Sequence, residues 1–153
     1  MKFIADSEKQ TANLAKKLSN VIKPPLIVGF CGELGVGKTV FIRNLIKKYK
    51  KDERVKSPSF SIMEEYEYKN IKIFHVDLYR INKNEKNYLD LNNYYSEDCL
   101  IFIEWINNDK KLMKNSDIVI NINIMKKNNS REIELTGNSI IGKKIITELK
   151  NDF

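Results

Sequence analysis

Two patterns of apolar residues alternate along this chain. In the first pattern, apolar residues recur at helical spacing over residues 14–22, which predicts a helix with one buried face. Ser7 and Gln10 have the spacing of a capping box before this helix, and the pair Pro24-Pro25 ends it. In the second pattern, a short apolar run such as LIVGFC at residues 26–31 predicts a buried strand. The alternation of the two patterns indicates an α/β fold.

The same alternation continues to the end of the chain, without an internal repeat or a linker. We therefore predict a single α/β domain over residues 1–153, with a central mixed, mostly parallel sheet that is flanked by helices and extended by antiparallel hairpins. The further predicted elements are strands at 2–5 and 100–105, helices at 40–49 and 139–149, a short helix near 85–91, a hairpin of 61–68 with 71–79, and a hairpin of the segments DIVINI and REIELT around Asn128-Asn129.

Three of the chain's six glycines lie between the strand at 26–31 and the helix that follows it. Gly32, Gly37, Lys38 and Thr39 fit the pattern Gly-x-x-x-x-Gly-Lys-[Ser/Thr] of a P-loop. Glycines let successive backbone N–H groups converge on one anion, and the following helix directs its positive end toward the same point. Lys38 adds positive charge for the outer phosphates, and Thr39 offers a hydroxyl to Mg²⁺. The pattern predicts a P-loop NTPase fold that binds a nucleoside triphosphate.

A P-loop enzyme also needs an acidic residue at the end of a nearby strand to hold magnesium. Two apolar runs end in such a residue, IFHVD at Asp77 and LIFIE at Glu104. The second run is more uniformly apolar, as expected of a central strand, so we predict that Glu104 binds the metal. Asp77 is expected either to orient water or to hold the metal's outer shell. His75 and Trp105 adjoin these acids, and each is expected either to fill the core or to serve the site.

Two features that the sequence lacks limit which nucleotide it is expected to bind and which reaction it is expected to catalyse. The segment NKNE at 82–85 is close to the guanine-binding Asn-Lys-x-Asp pattern, but it follows Asp77 too closely, so ATP is the expected nucleotide. A small-molecule kinase would close an arginine-rich lid over the phosphates, and four arginines spread over the chain do not suggest one. The main prediction is therefore an ATPase. The alternatives are a small nucleotide or metabolite kinase and a basic RNA-binding module with a structural nucleotide.

The net charge of +7 invites a nucleic-acid partner. Only four of the 27 basic residues are arginine, the residue best suited to clamp phosphates and read bases, so we expect no DNA partner. The lysines are scattered, which favours a solvated surface, and contact of part of that charge with an acidic partner or RNA is the alternative. No apolar run reaches the roughly 20 residues of a membrane span. Cys31 and Cys99 lack a metal-ligand spacing, and we expect reduced thiols in a cytoplasmic protein without a membrane partner.

Four segments occur in an order that resembles the TsaE family, small bacterial ATPases needed to make threonylcarbamoyladenosine in tRNA. They are GELGVGKT at 32–39, SPSF at 57–60, HVDLYR at 75–80 and IEW at 103–105. The resemblance implies slow hydrolysis of ATP with Mg²⁺. It also implies docking on the paired TsaB and TsaD proteins, so that tRNA is reached indirectly, through that complex.

The family's functional positions can be placed on matching residues of this chain. The resemblance implies catalytic roles for Lys38, Asp77 and Glu104, with Thr39 and Glu104 as magnesium ligands. The expected nucleotide-binding residues are Thr11, Leu34, Gly35, Val36, Gly37, Lys38, Thr39 and Arg131, and the expected switch-like loop contains Ser57 and Ser59. Two departures are Asn107, where the family often has a second acid, and Asn92, near a position where it commonly has glycine.

Overall fold

The structure of the protein is a computed structural model that describes residues 1–81, 94–125 and 130–153. Within these ranges, seven strands form one sheet, and the helices pack on its two faces. The strands are β1 (Lys2–Ala5), β2 (Leu26–Cys31), β3 (Met63–Tyr68), β4 (Ile71–Asp77), β5 (Cys99–Glu104), β6 (Ile118–Met125) and β7 (Ser130–Gly137). The α-helices are α1 (Glu8–Val21), α2 (Lys38–Ile46), α3 (Lys110–Asn115) and α4 (Ile140–Asn151), with a 3₁₀ helix at Ile106–Asn108.

The strand order is β1-β7-β6-β2-β5-β4-β3. The four inner strands β6, β2, β5 and β4 are parallel to one another, and the outer pairings are antiparallel. All six residues of β5 are buried, which explains its uninterrupted apolar sequence, because a central parallel strand is covered on both faces. The single-domain α/β fold with a mixed sheet is thereby confirmed, as are the two antiparallel hairpins.

The two faces of the sheet carry separate clusters of buried side chains. On one face, α1, α2 and α4 cover the larger cluster, where the rings of Phe30 and Phe41 lie 5.6 Å apart. On the other face, the 3₁₀ helix and α3 cover the smaller cluster, which contains Phe74 and Ile106. Because β2 lies between both layers, its carboxyl end is held in a fixed position relative to the start of α2.

Several predicted boundaries differ from the observed ones for local reasons. The second helix begins at Lys38 rather than at residue 40, because Gly37 takes a left-handed conformation (φ 111°) directly before it. The sequence did not predict α3, whose first N–H groups are capped by the side chain of Asp109. The predicted short helix near 85–91, the turn at Asn128-Asn129 and Asn92 lie outside the described residues.

The helices found in the described ranges are all too short or too polar to cross a lipid bilayer.

Candidate functional site

A cleft of about 430 Å³ lies beyond the carboxyl ends of β2, β4 and β5. Its walls come from the glycine-rich loop, the first turn of α2, the loop at residues 57–59 and the ends of β4 and β5. In open parallel sheets, ligands bind outside the carboxyl ends of the strands, where the chain turns to opposite sides of one strand. Here that strand is β2, since β5 lies on one side of it and β6 on the other.

The glycine-rich loop turns by means of three glycines with positive φ. These are Gly32 (φ 131°), Gly35 (φ 78°) and Gly37 (φ 111°), conformations that other L residues rarely adopt. A Cβ atom added at Gly35 or Gly37 would meet no heavy atom within 4 Å, and both glycines line the cleft. The loop therefore presents bare backbone to the cleft, as an anion-binding loop must.

Lys38 is 4% exposed and lies at the centre of this loop. Its Nζ atom donates to the carbonyl oxygens of Gly32 and Glu33, each at 2.8 Å, and lies 3.8 Å from the ring centroid of Trp105. Burial lowers the pKa of Lys38 below its ordinary value, and the carboxylates of Glu104 and Asp77 partly offset that effect. The lysine ammonium is thus held beside the open space of the loop.

Glu104 is buried at the end of β5 and accepts two hydrogen bonds on one oxygen. The Thr39 hydroxyl lies 2.7 Å from Oε1 of Glu104, and Nε2 of His75 lies 2.9 Å from the same atom. Because a carboxylate only accepts, the Nε2–H of His75 is the donor. His75 is fully buried, and its Nδ1 has no hydrogen-bond partner among the described residues. The hydrogen bond from the imidazole thus helps to fix the position of the Glu104 carboxylate.

Asp77 ends β4 directly beside Glu104, its register partner in β5. Its two carboxylate oxygens accept different hydrogen bonds: the Ser57 hydroxyl donates to Oδ2 at 3.0 Å, and the backbone N–H of Tyr79 donates to Oδ1 at 2.8 Å. Ser57 and Ser59 both line the cleft. A movement of the Asp77 carboxylate would therefore act on the loop at residues 57–59 through the hydrogen bond from Ser57.

The side chains at the foot of the cleft suit a magnesium ion. Thr39 and Glu104 offer a hydroxyl and a carboxylate oxygen only 2.7 Å apart, and Mg²⁺ prefers such hard oxygen ligands. No group of three or more His, Cys, Asp or Glu side chains placed to hold a metal occurs in the described part of the chain.

The predicted site residues fall into two groups. The cleft brings together Leu34, Gly35, Gly37, Lys38, Thr39, Ser57, Ser59, Asp77 and Glu104. It does not include Val36, which is buried in the core, nor Thr11 on α1 or Arg131 on β7. Thr11 donates to the carbonyl of Ser7, and Arg131 pairs with Ala5 and Ile124 in the sheet.

Two contacts of the site were missed by sequence reasoning. The sequence alone does not decide between a core role and a functional role for His75, although its spacing from Asp77 places both side chains on one face of β4. The contact between Lys38 and Trp105 had no sequence signal, because Trp105 takes a left-handed conformation (φ 59°) that is uncommon for an aromatic residue.

Comparisons with known proteins show which family and which fold this chain resembles. The model of a family described as threonylcarbamoyl adenosine biosynthesis protein TsaE matches residues 5–133. The tRNA threonylcarbamoyladenosine biosynthesis protein TsaE of Haemophilus influenzae is 31% identical over 144 residues, 94% of this chain and 89% of that protein. Its counterpart in Rickettsia typhi is 38% identical over 124 residues, 80% of this chain and 86% of that protein. The crystal structure of Bacillus subtilis YdiB has the same fold, with a TM-score of 0.84 at 23% identity, and covers 99% of this chain and 95% of that chain.

Proposed function

Because this chain belongs to the TsaE family of threonylcarbamoyl adenosine biosynthesis proteins, as its four motifs predicted, we propose that it is a magnesium-dependent ATPase of tRNA modification. The proposal adds to the family assignment the nucleotide, the metal, the reaction and the protein partners. We place this activity in the cytoplasm.

One observation carries the proposal. The side-chain oxygens of Thr39 and Glu104 lie 2.7 Å apart in the cleft that the glycine loop lines, and the Lys38 ammonium donates to two carbonyl oxygens of that loop. This set provides backbone N–H groups and a cation for phosphate oxygens, and two hard oxygen atoms for a metal. A nucleoside triphosphate with Mg²⁺ is the ligand that needs all of these groups at once.

The side chains of the cleft then take distinct roles in hydrolysis. Lys38 would bind the outer phosphate oxygens and offset the charge that develops on them. Thr39 and Glu104 would hold Mg²⁺, which when bound neutralises phosphate charge. Asp77 would accept a hydrogen bond from the attacking water and orient it in line with the γ-phosphate. His75 would keep the Glu104 carboxylate in position through the bond at 2.9 Å.

The loop at residues 56–60 would transmit the state of the nucleotide to partner proteins. Ser57 is bonded to Asp77, and Phe60, two residues beyond Pro58, is 83% exposed with the Arg80 guanidinium 4.3 Å from its ring. A segment held by one hydrogen bond at the cleft and exposed at its tip can order or relax as the γ-phosphate is lost. We propose that the TsaB–TsaD pair senses this change, and that tRNA is affected through that complex.

The test is ATP hydrolysis by the protein alone and with TsaB and TsaD, with GTP as the control nucleotide. We expect slow turnover of ATP that rises with the pair and little turnover of GTP. Lys38→Ala should abolish tight nucleotide binding, whereas Asp77→Ala should keep binding and stop turnover. Unchanged hydrolysis in either variant would contradict these roles. Transfer of labelled phosphate to a nucleoside or a small alcohol would favour a kinase instead.

A further inference from the structure

A second cleft, larger than the first, lies between α1 and α2. Its volume is about 750 Å³, and none of its lining residues is shared with the cleft of the glycine loop. Five lysines line it, and its lining contains no aspartate or glutamate. The lysines are Lys9, Lys16, Lys47, Lys48 and Lys51. The scattered lysines of the sequence are thus gathered by the packing of two helices.

A smaller basic cleft adjoins this one and shares Lys47 with it. This cleft of about 430 Å³ adds Arg43, Arg54 and Lys56, and its one acid, Glu53, is paired with Lys50 at 2.7 Å. We call the eight cationic residues of the two clefts the basic band. The band contains two of the four arginines of the chain. It continues from the groove between α1 and α2 to the residue before Ser57.

Lys48 of the band also lies close to a further cation outside it, Lys23. Burial lowers the pKa of Lys48 below its ordinary value, and the nearby Lys23 ammonium lowers it further. Like charges held together in a groove cost free energy that an anionic partner would relieve. The groove therefore favours a ligand with several negative charges over a single small ion.

The remaining lining identifies the chemical class of that ligand. Beside the lysines, the larger cleft presents Gln10, Asn13, Asn20 and Asn44, whose amides both donate and accept hydrogen bonds. Apart from Ala12 in one cleft and Val55 in the other, the residues that line the two clefts have polar or charged side chains. Protein interfaces have a core enriched in aromatic residues and methionine, which is lacking here. A lining of lysines and amides, without acids or aromatic rings, matches a sugar–phosphate backbone.

We propose that the basic band binds the phosphate backbone of RNA, at a site separate from the ATP cleft. The band lacks exposed aromatic side chains on which bases would stack, so binding depends on charge and shape rather than on base sequence. Its end at Lys56 adjoins Ser57, which lines the ATP cleft. Bound RNA would therefore lie beside the loop that senses the nucleotide without entering its site.

The test compares two triple variants of equal charge. The band variant carries Lys16→Gln, Lys47→Gln and Lys51→Gln. The control carries Lys110→Gln, Lys111→Gln and Lys114→Gln on α3, which covers the opposite face of the sheet. All six lysines are exposed, and urea unfolding should show that both variants fold as the parent does.

The readout is binding to a fluorescently labelled tRNA transcript at saturating ATP, followed as salt is raised between about 50 and 200 mM. Each lost phosphate contact should reduce the slope of log affinity against log salt by about one, so the band variant should lose about three. We expect its affinity at the low-salt end to fall by roughly tenfold or more. The control variant should bind RNA as the parent protein does.

Three results would overturn the proposal. These are equal weakening in both triple variants, displacement of RNA by ATP, and binding to polyglutamate as tightly as to RNA with the same loss in the band variant. ATP turnover should be unchanged in the band variant, because none of its three lysines lines the ATP cleft. A protein that binds RNA through the band but never hydrolyses ATP would refute the proposed function and leave this inference standing.

Discussion

The hydrogen bond between His75 and Glu104 allows a quantitative test of the site. The two side chains are 0% and 4% exposed, and Nε2 of His75 lies 2.9 Å from Oε1 of Glu104. His75→Leu keeps the apolar bulk but leaves the carboxylate with the Thr39 hydroxyl as its remaining partner among the described residues. Glu104→Leu removes the acceptor from the imidazole. A double-mutant cycle of these two changes isolates the interaction itself.

The expected magnitudes follow from burial and charge. A hydrogen bond to a charged group contributes about 1.5–3 kcal/mol, and removing one partner of a buried pair costs more because the other loses its compensation. Since Thr39 still serves Glu104, we expect His75→Leu to lower the free energy of unfolding by about 2–4 kcal/mol. In a chain of this length, each kcal/mol lowers Tm by about 2–4 °C. The double variant should be less destabilised than the sum of the single variants by about 1.5–3 kcal/mol.

Urea unfolding followed by far-UV circular dichroism provides the global free energies. The fluorescence of Trp105, the chain's one tryptophan, reports separately on the site, because its ring contacts the Lys38 ammonium. The matched control is a cycle of His75→Leu with Ser57→Ala, since Ser57 is bonded to Asp77 and not to Glu104. That cycle should be additive within about 0.5 kcal/mol. If the free energies of unfolding in the His75–Glu104 cycle were also additive within about 0.5 kcal/mol, the assigned interaction would be refuted.

Three further predictions concern other parts of the chain. Ser139→Ala should destabilise the protein by about 1 kcal/mol in urea unfolding, because the serine hydroxyl caps α4; an unchanged midpoint would remove that role. Gly32→Ala should destabilise more than Gly35→Ala, because both have positive φ but only the new methyl at Gly32 meets the Ile122 carbonyl; equal losses would contradict this. Cys31 and Cys99 should react slowly with iodoacetamide at neutral pH, because both are buried and burial raises the pKa of Cys31, which lowers its thiolate fraction; rapid labelling measured by mass spectrometry would disagree.

Much of the fold follows from local pattern. The runs LIVGFC and LIFIE predicted β2 and β5, because strands buried on both faces have few positions for polar residues. Gly32 to Thr39 predicted the loop and its place between strand and helix. These predictions succeeded because each depends on residues close together in the sequence, where backbone geometry and side-chain type restrict the structure directly.

The contacts that were not predicted depend on how distant segments pack. The meeting of His75 with Glu104 requires β4 to lie beside β5 in one register, with residue 77 opposite residue 104. The basic band requires α1 to pack along α2, so that lysines 31 or more positions apart, such as Lys16 and Lys47, face one groove. Composition gave the total charge but no information about where the fold would concentrate it.

The environment of Lys38 links the fold to the chemistry proposed for it. Lys38 is nearly buried, and its Nζ contacts two carbonyl oxygens and the Trp105 ring. Among the described residues, no carboxylate oxygen lies within 4.0 Å of Nζ. Carbonyl dipoles and an aromatic ring stabilise a buried ammonium less than water does, so the charged form costs free energy. The lowered pKa of Lys38 reflects that cost. The carboxylates of Glu104 and Asp77 offset only part of that cost. In the proposed function, a phosphate bound at the glycine loop would supply further negative charge to the Lys38 ammonium.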